Sequence, residues 1–127
     1  SLIDCSTWSF FSIASSNLPK SKRALPFLFC DDASNFMNRL AKQKFKVDVV
    51  VMDPPRTGSD IKFLKAVVSL RPEKLVYVSC NPETLKRDLD FISKYYKVNS
   101  IQPVDMFPFT EHLETVVSMK LIGVKKW

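Results

Sequence analysis

A chain of 127 residues, 46% hydrophobic and 25% charged, has the balance of a soluble globular protein: about one domain, large enough for a core but short for a complete cofactor-dependent enzyme. No apolar run approaches the roughly 18 residues of a membrane span, Asp4 interrupts the first residues where a signal peptide would need its apolar stretch, and the chain reads as cytoplasmic. Lys plus Arg exceed Asp plus Glu by 19 to 13, a net charge of +6 that favours an acidic partner such as nucleic acid, while Cys5, Cys30 and Cys80 are too scattered for a disulfide framework or a cysteine metal site.

Residues 1–26 are the hardest to read: TWSFFSIA suits a strand or a buried helix, and SSNLPKSKRALP a basic loop. FLFC followed by DDASNFMNRLAKQ predicts a strand, a capping acid and a helix with Phe36, Met37, Leu40 and Ala41 on one face. VDVVVM is a β-branched run typical of a strand buried on both faces. SDIKFLKAVVSL then places Ile61, Leu64, Val67 and Val68 at helical spacing, with Ser59 or Asp60 as cap and Pro72 beyond the end. KLVYVS is the next strand. These three elements form a strand–helix–strand unit, which makes parallel neighbours with a right-handed crossover. Asn81 caps and Pro82 begins a further helix that turns Leu85, Leu89, Ile92 and Tyr96 toward the sheet. Finally YKVNSIQPV and LETVVSMKLIGV, joined by the Pro-rich, aromatic DMFPFTEH, predict an antiparallel pair closing the sheet. The expected fold class is α/β, with parallel strands first and the antiparallel pair last.

MDPPR and VSCNP end adjacent strands, and ligands of open parallel sheets bind beyond the carboxyl ends, so both should face one crevice. Cys80 precedes a helix cap, where free N–H groups and the macrodipole favour a thiolate; taken alone it would read as a small apolar residue at a strand end. Asp53 leaves its strand through the rigid Pro54–Pro55 pair beside Arg56, suited either to a polar ligand or to bonding its own loop. Glu114 opens the last strand after a loop holding Phe107, Phe109 and the only histidine, His112. A carboxyl in such surroundings is poised to accept a proton, although alone it would read as a solvated strand-end charge. His112 has no second ligand at a useful spacing, so no metal is expected. The only glycines are Gly58 and Gly123, which leaves no G-x-G loop to cradle a nucleoside or phosphate.

DPPRTG, YVSCNPETLKRDL and PVDMFPFTEHLETVV, in this order, resemble the C-terminal part of the S-adenosylmethionine-dependent RNA 5-methyluridine methyltransferases of bacterial rRNA and tRNA type. The similarity runs from Phe29 to Ile122. It implies the C-terminal part of a Rossmann-like class I methyltransferase fold, with 27–127 as a catalytic half-domain and 1–26 as an atypical N-terminal segment that replaces or truncates the cofactor-loop half. It implies Cys80 as nucleophile and Glu114 as base, Asp53 and Asp32 in the S-adenosylmethionine pocket, and Arg56, Phe107 and His112 on the RNA side. Carbon 5 of uracil is a poor nucleophile; a thiolate added at carbon 6 makes the ring an enolate that can take a methyl group, and a base then removes the carbon 5 proton.

Members of that family also carry an upstream RNA-binding β-barrel domain and a Gly-rich cofactor loop, so the sequence is expected to be a fragment, with an unpaired sheet edge that would favour a homodimer. The competing expectation is a non-catalytic α/β remnant with weak RNA-binding or an oligomerisation role. Methyltransferases of exocyclic amines need an aromatic ring where Arg56 stands, and a Cys80–His112 hydrolase would lack an oxyanion element and an orienting Asn or Asp.

Overall fold

The computed structural model describes residues 9–16, 24–29, 33–105 and 113–123. Along these run β1 (Ser9–Ala14), β2 (Ala24–Phe29), α1 (Ala33–Lys42), β3 (Val49–Asp53), α2 (Ile61–Leu70), β4 (Lys74–Ser79), α3 (Pro82–Ile92), β5 (Tyr96–Val104) and β6 (Glu114–Leu121). The strands form one sheet in the order β2-β1-β3-β4-β6-β5. Only β3 and β4 are parallel neighbours; β1 runs against β2 and β3, and β6 against β4 and β5.

This order decides where the helices lie. Strands β2, β3, β4 and β5 all point the same way, and each helical connection steps toward the β5 edge, so right-handed crossovers put α1, α2 and α3 on a single face. Contacts of α2 with both α1 and α3 agree with this. Side chains alternate along a strand, and burial alternates with them: Ile13, Val50, Leu75 and Met119 form one fully buried row across β1, β3, β4 and β6, and Met52, Tyr77 and Val117 form the next. Against these rows pack Met37 of α1, Phe63, Leu64, Val67 and Leu70 of α2, and Leu85 and Ile92 of α3. Each such side chain contributes roughly 1.5–3 kcal/mol by leaving water. The intervening residues Val49, Val51, Val76, Val78 and Val116 lie on the opposite face and are only half-buried. No described helix covers that face.

Several expectations shift in detail. TWSFFSIA contributes a strand, and Ala24–Pro26, expected in a loop, begin β2. β1, not β2, is the neighbour of β3. Asp60 rather than Ser59 caps α2, accepting from the Lys62 N–H. Ile61 stays 48% exposed in spite of its spacing, because the first turn overhangs the strand ends. Tyr96 is not on α3 but opens β5, buried, with its hydroxyl donating to the Pro72 carbonyl at 2.8 Å. The acid expected to cap α1 lies outside the described residues, as do Cys5 and Cys30. No described helix is long and apolar enough to cross a membrane.

Candidate active site

Three strand ends meet on the helix-free face. Asp53, the last residue of β3, follows Val49 and Val51 on that side; Cys80, the first residue beyond β4, follows Val76 and Val78; Glu114, the first of β6, precedes Val116. Ser79 pairs with Thr115, so Cys80 and Glu114 sit one step beyond the last opposed pair of an antiparallel ladder. Opposite running directions bring the start of β6 to the end of β4. The three side chains expected to act together, Asp53, Cys80 and Glu114, are therefore neighbours, with Arg56 beside them.

Their electrostatics confirm the proximity. The Cys80 thiol is pushed up first by burial, then by the Glu114 carboxylate and, more weakly, by Asp53; its own backbone N–H and Arg56 pull it down without prevailing. Burial, then Asp53, raises Glu114, and burial raises Asp53. Burial and the two carboxylates thus favour the thiol, against the pull of the helix terminus toward a thiolate. Burial is the main reason, and the local hydrogen bonds leave little to offset it. The Asn81 side chain caps α3 by accepting from the Glu83 N–H at 3.0 Å, and the Ser79 hydroxyl accepts the Asn81 N–H at 3.1 Å, so donors at the helix start that would hold a thiolate are already engaged.

We expect this balance to be readable in alkylation of Cys80 by iodoacetamide, followed against pH by mass spectrometry of its peptide. Glu114→Gln should move the ionisation to lower pH and Arg56→Ala to higher pH. No movement in Glu114→Gln would mean that the carboxylate does not face the thiol.

A second set of residues, not expected from the sequence, fixes the loop after β3 onto α3. Asn81 Nδ2 and Thr84 Oγ1 donate to the Arg56 carbonyl at 3.1 and 3.2 Å. Arg87 Nη2 donates to the Thr57 carbonyl at 3.0 Å. Asp88, only 1% exposed, accepts from the Tyr77 hydroxyl at 2.6 Å and the Ser59 N–H at 2.8 Å, and pairs with Arg87 at 3.1 Å. Gly58 has φ +83, and a Cβ there would lie 2.9 Å from Thr84 Cβ, so the loop reaches α3 only because this residue is glycine. The available signal was Asp88 itself, an acid inside the Leu85–Ile92 apolar stripe of a helix.

Of the other expected site residues, Asp32, Phe107 and His112 lie outside the described residues, as does Phe109. Among the described residues no group of three His, Cys, Asp or Glu side chains could hold a metal, and Cys80 is a free thiol.

Comparison with known proteins agrees on one family. The profile of tRNA (Uracil-5-)-methyltransferase matches residues 32–122. An uncharacterized RNA methyltransferase of Bacillus anthracis is 46% identical over 89 residues, 70% of this chain and 19% of that protein. One of Streptococcus pyogenes is 47% identical over 88 residues, 69% of this chain and 20% of that protein. The chain thus spans about a fifth of the length of such relatives. The crystal structure of Pyrococcus abyssi tRNA (uracil-54, C5)-methyltransferase in complex with S-adenosyl-L-homocysteine superposes with a TM-score of 0.55 at 40% identity, covering 59% of this chain and 18% of that one.

Proposed function

We propose, from the premise that the chain belongs to the tRNA (uracil-5-)-methyltransferase family, that its strand-end site methylates carbon 5 of a uridine in tRNA or rRNA through a covalent cysteine adduct. The observation that supports this reading is the convergence of Asp53, Cys80 and Glu114 at one end of one sheet face, where burial first and then the neighbouring carboxylates raise the proton affinity of Cys80 and Glu114.

In this reading Cys80 Sγ adds to carbon 6 of the uracil, the S–C bond forming as the carbon 5–carbon 6 double bond opens and the charge passes to the ring oxygen. Burial, Glu114 and Asp53 oppose thiolate formation, so addition requires the S–H bond to break as the S–C bond forms, the proton passing to solvent water and leaving the Glu114 carboxylate free for the later step. Asp53 and Glu114, with a single nearby guanidinium, make a site with surplus negative charge, and that surplus fits the sulfonium of S-adenosylmethionine. Asp53 is the residue that would hold it from this chain. The group supplies an electrophilic methyl to carbon 5 when bound. Glu114, its carboxylate more basic than usual, then takes the carbon 5 proton, and the Cys80–carbon 6 bond breaks to restore the ring double bond. Arg56 faces the developing ring oxygen charge or an adjacent phosphate.

The test is incubation of the chain with radiolabelled S-adenosylmethionine and RNA containing 5-fluorouridine, whose carbon 5 fluorine cannot leave as a proton does. A denaturation-resistant labelled adduct is expected, and Cys80→Ala should abolish it. Its absence with the wild-type chain would leave an α/β module of the family without the activity.

A further inference from the structure

The helix-free face of the sheet carries opposite charges at its two ends and valines between them. Lys74 is the ladder partner of Lys120, and Lys120 that of Lys97, so three lysines stand side by side where β4 begins and β6 ends. Residues an even number of steps apart on a strand share a face: Lys74 shares its face with Cys80, and Lys120 with Glu114. All three lysines are exposed, and none forms an ion pair with a described carboxylate. Like charges in opposed positions weaken strand pairing, so the row does nothing for its own sheet. At the other end of the same face stand Asp53, Cys80 and Glu114, with Arg56 beside them. Between the two ends lie Val49 and Val51 of β3, Val76 and Val78 of β4, and Val116 and Ser118 of β6, half-buried and without a described helix over them.

We infer that a second copy of this chain packs on this face with its strands reversed, so that the lysine row of each copy meets Glu114 of the other and Cys80 is closed off. The face is self-complementary about a two-fold axis that crosses the strands at the row of Tyr77 and Val117. Reversal about that row sets Glu114 opposite the partner's Lys120, Cys80 opposite the partner's Lys74, and Val76 and Val116 opposite the partner's Val78 and Ser118. Lys74 and Lys97 flank Lys120 on adjacent strands, about 5 Å to either side, so each Glu114 faces the middle of a cationic trio. Stacking without reversal would set lysines on lysines. Two aligned sheets about 10 Å apart hold side chains of valine size between them. The face extends about 20 Å along the strands and about 24 Å across six of them, so a pair buries on the order of 1,000 Å², the lower bound of a specific interface. Association is therefore concentration-dependent rather than permanent. RNA would engage the lysines but not the valine stripe; a second copy engages both, and its carboxylates supply the anions. The paired state excludes any substrate from Cys80.

The test is sedimentation velocity of the chain from about 1 µM to about 1 mM, with the rate of Cys80 alkylation followed at each concentration. A monomer–dimer equilibrium is expected, with alkylation slowing as the dimer forms and salt favouring dissociation. Lys120→Glu alone and Glu114→Lys alone should each raise the dissociation constant at least about tenfold, since each sets like charges opposite one another. An equimolar mixture of the two variants should restore association, because their heterodimer again opposes carboxylate and ammonium at both positions. Thermal melts check that both variants fold. A wild-type chain that stays monomeric throughout, a dimer unweakened by either substitution, or a mixture that stays monomeric would overturn the inference. So would a dimer in which Cys80 alkylation is unchanged, the result expected of pairing along the β5 edge. Association is read without RNA or S-adenosylmethionine, so its failure leaves the catalytic reading standing, and a missing 5-fluorouridine adduct leaves the dimer standing.

Discussion

Glu114→Gln is expected to trap the chain on its substrate: with S-adenosylmethionine and RNA containing ordinary uridine, a covalent Cys80–RNA species should accumulate while turnover falls by about 10²–10⁴. The substitution keeps the size of the side chain and its place at the start of β6 but removes the group that takes the carbon 5 proton. Addition at carbon 6 does not need that group. It should even become easier, since Glu114 is the largest charge holding the thiol protonated. Release does need it, because the ring double bond cannot re-form while the proton stays on carbon 5. The trapped species would be seen as a band resistant to denaturation and located by mass spectrometry on the Cys80 peptide. If Glu114→Gln turns over at the wild-type rate, Glu114 is not the base.

Asp88→Ala should be among the most damaging substitutions for stability, by about 3–5 kcal/mol from the buried donors it orphans. The carboxylate is buried, and its removal strands the Tyr77 hydroxyl and the Ser59 N–H without an acceptor and leaves Arg87 without its partner. Each of the first two costs about 1–3 kcal/mol when orphaned in the interior. At roughly 3–5 °C per kcal/mol for a domain of this size, the melting temperature should drop by at least about 9 °C. Tyr77→Phe, which deletes one donor, should cost only about 1 kcal/mol. Because the two share one hydrogen bond, the double variant should cost less than the sum of the singles. Full additivity would mean that the bond contributes nothing. Tyr77, whose hydroxyl is raised first by burial and then by Asp88, has no tendency to ionise in this position.

The strands and helices were legible where periodicity was long and both ends were marked. The end of β4 at Ser79, the Asn81–Pro82 start of α3 and the β5–β6 pair all followed from local pattern, because β-branched runs, caps and proline act within a few residues. The shared crevice of Asp53 and Cys80 was legible too, since it needed only the crossover rule, whereas Glu114 joined them in the sequence only through the family resemblance. What pattern did not carry was set by tertiary contact. The insertion of β1 between β2 and β3 depends on which edge is free, not on the sequence of either strand. The proton affinity of the Cys80 thiol depends first on its burial and then on two carboxylates that lie 27 residues upstream and 34 downstream in the chain, none of which the local sequence advertises. The lock between the Gly58 loop and α3 showed only as one acid among apolar positions. Its partners come from three separate elements.

The antiparallel course of β6 carries an evolutionary corollary. Whichever residue of β6 opposes Ser79 determines the side on which the preceding carboxylate emerges, so one amino acid gained or lost inside β6 would swing Glu114 among the helices and extinguish chemistry. The face on which Glu114 stands is therefore set by the numbering of a single strand.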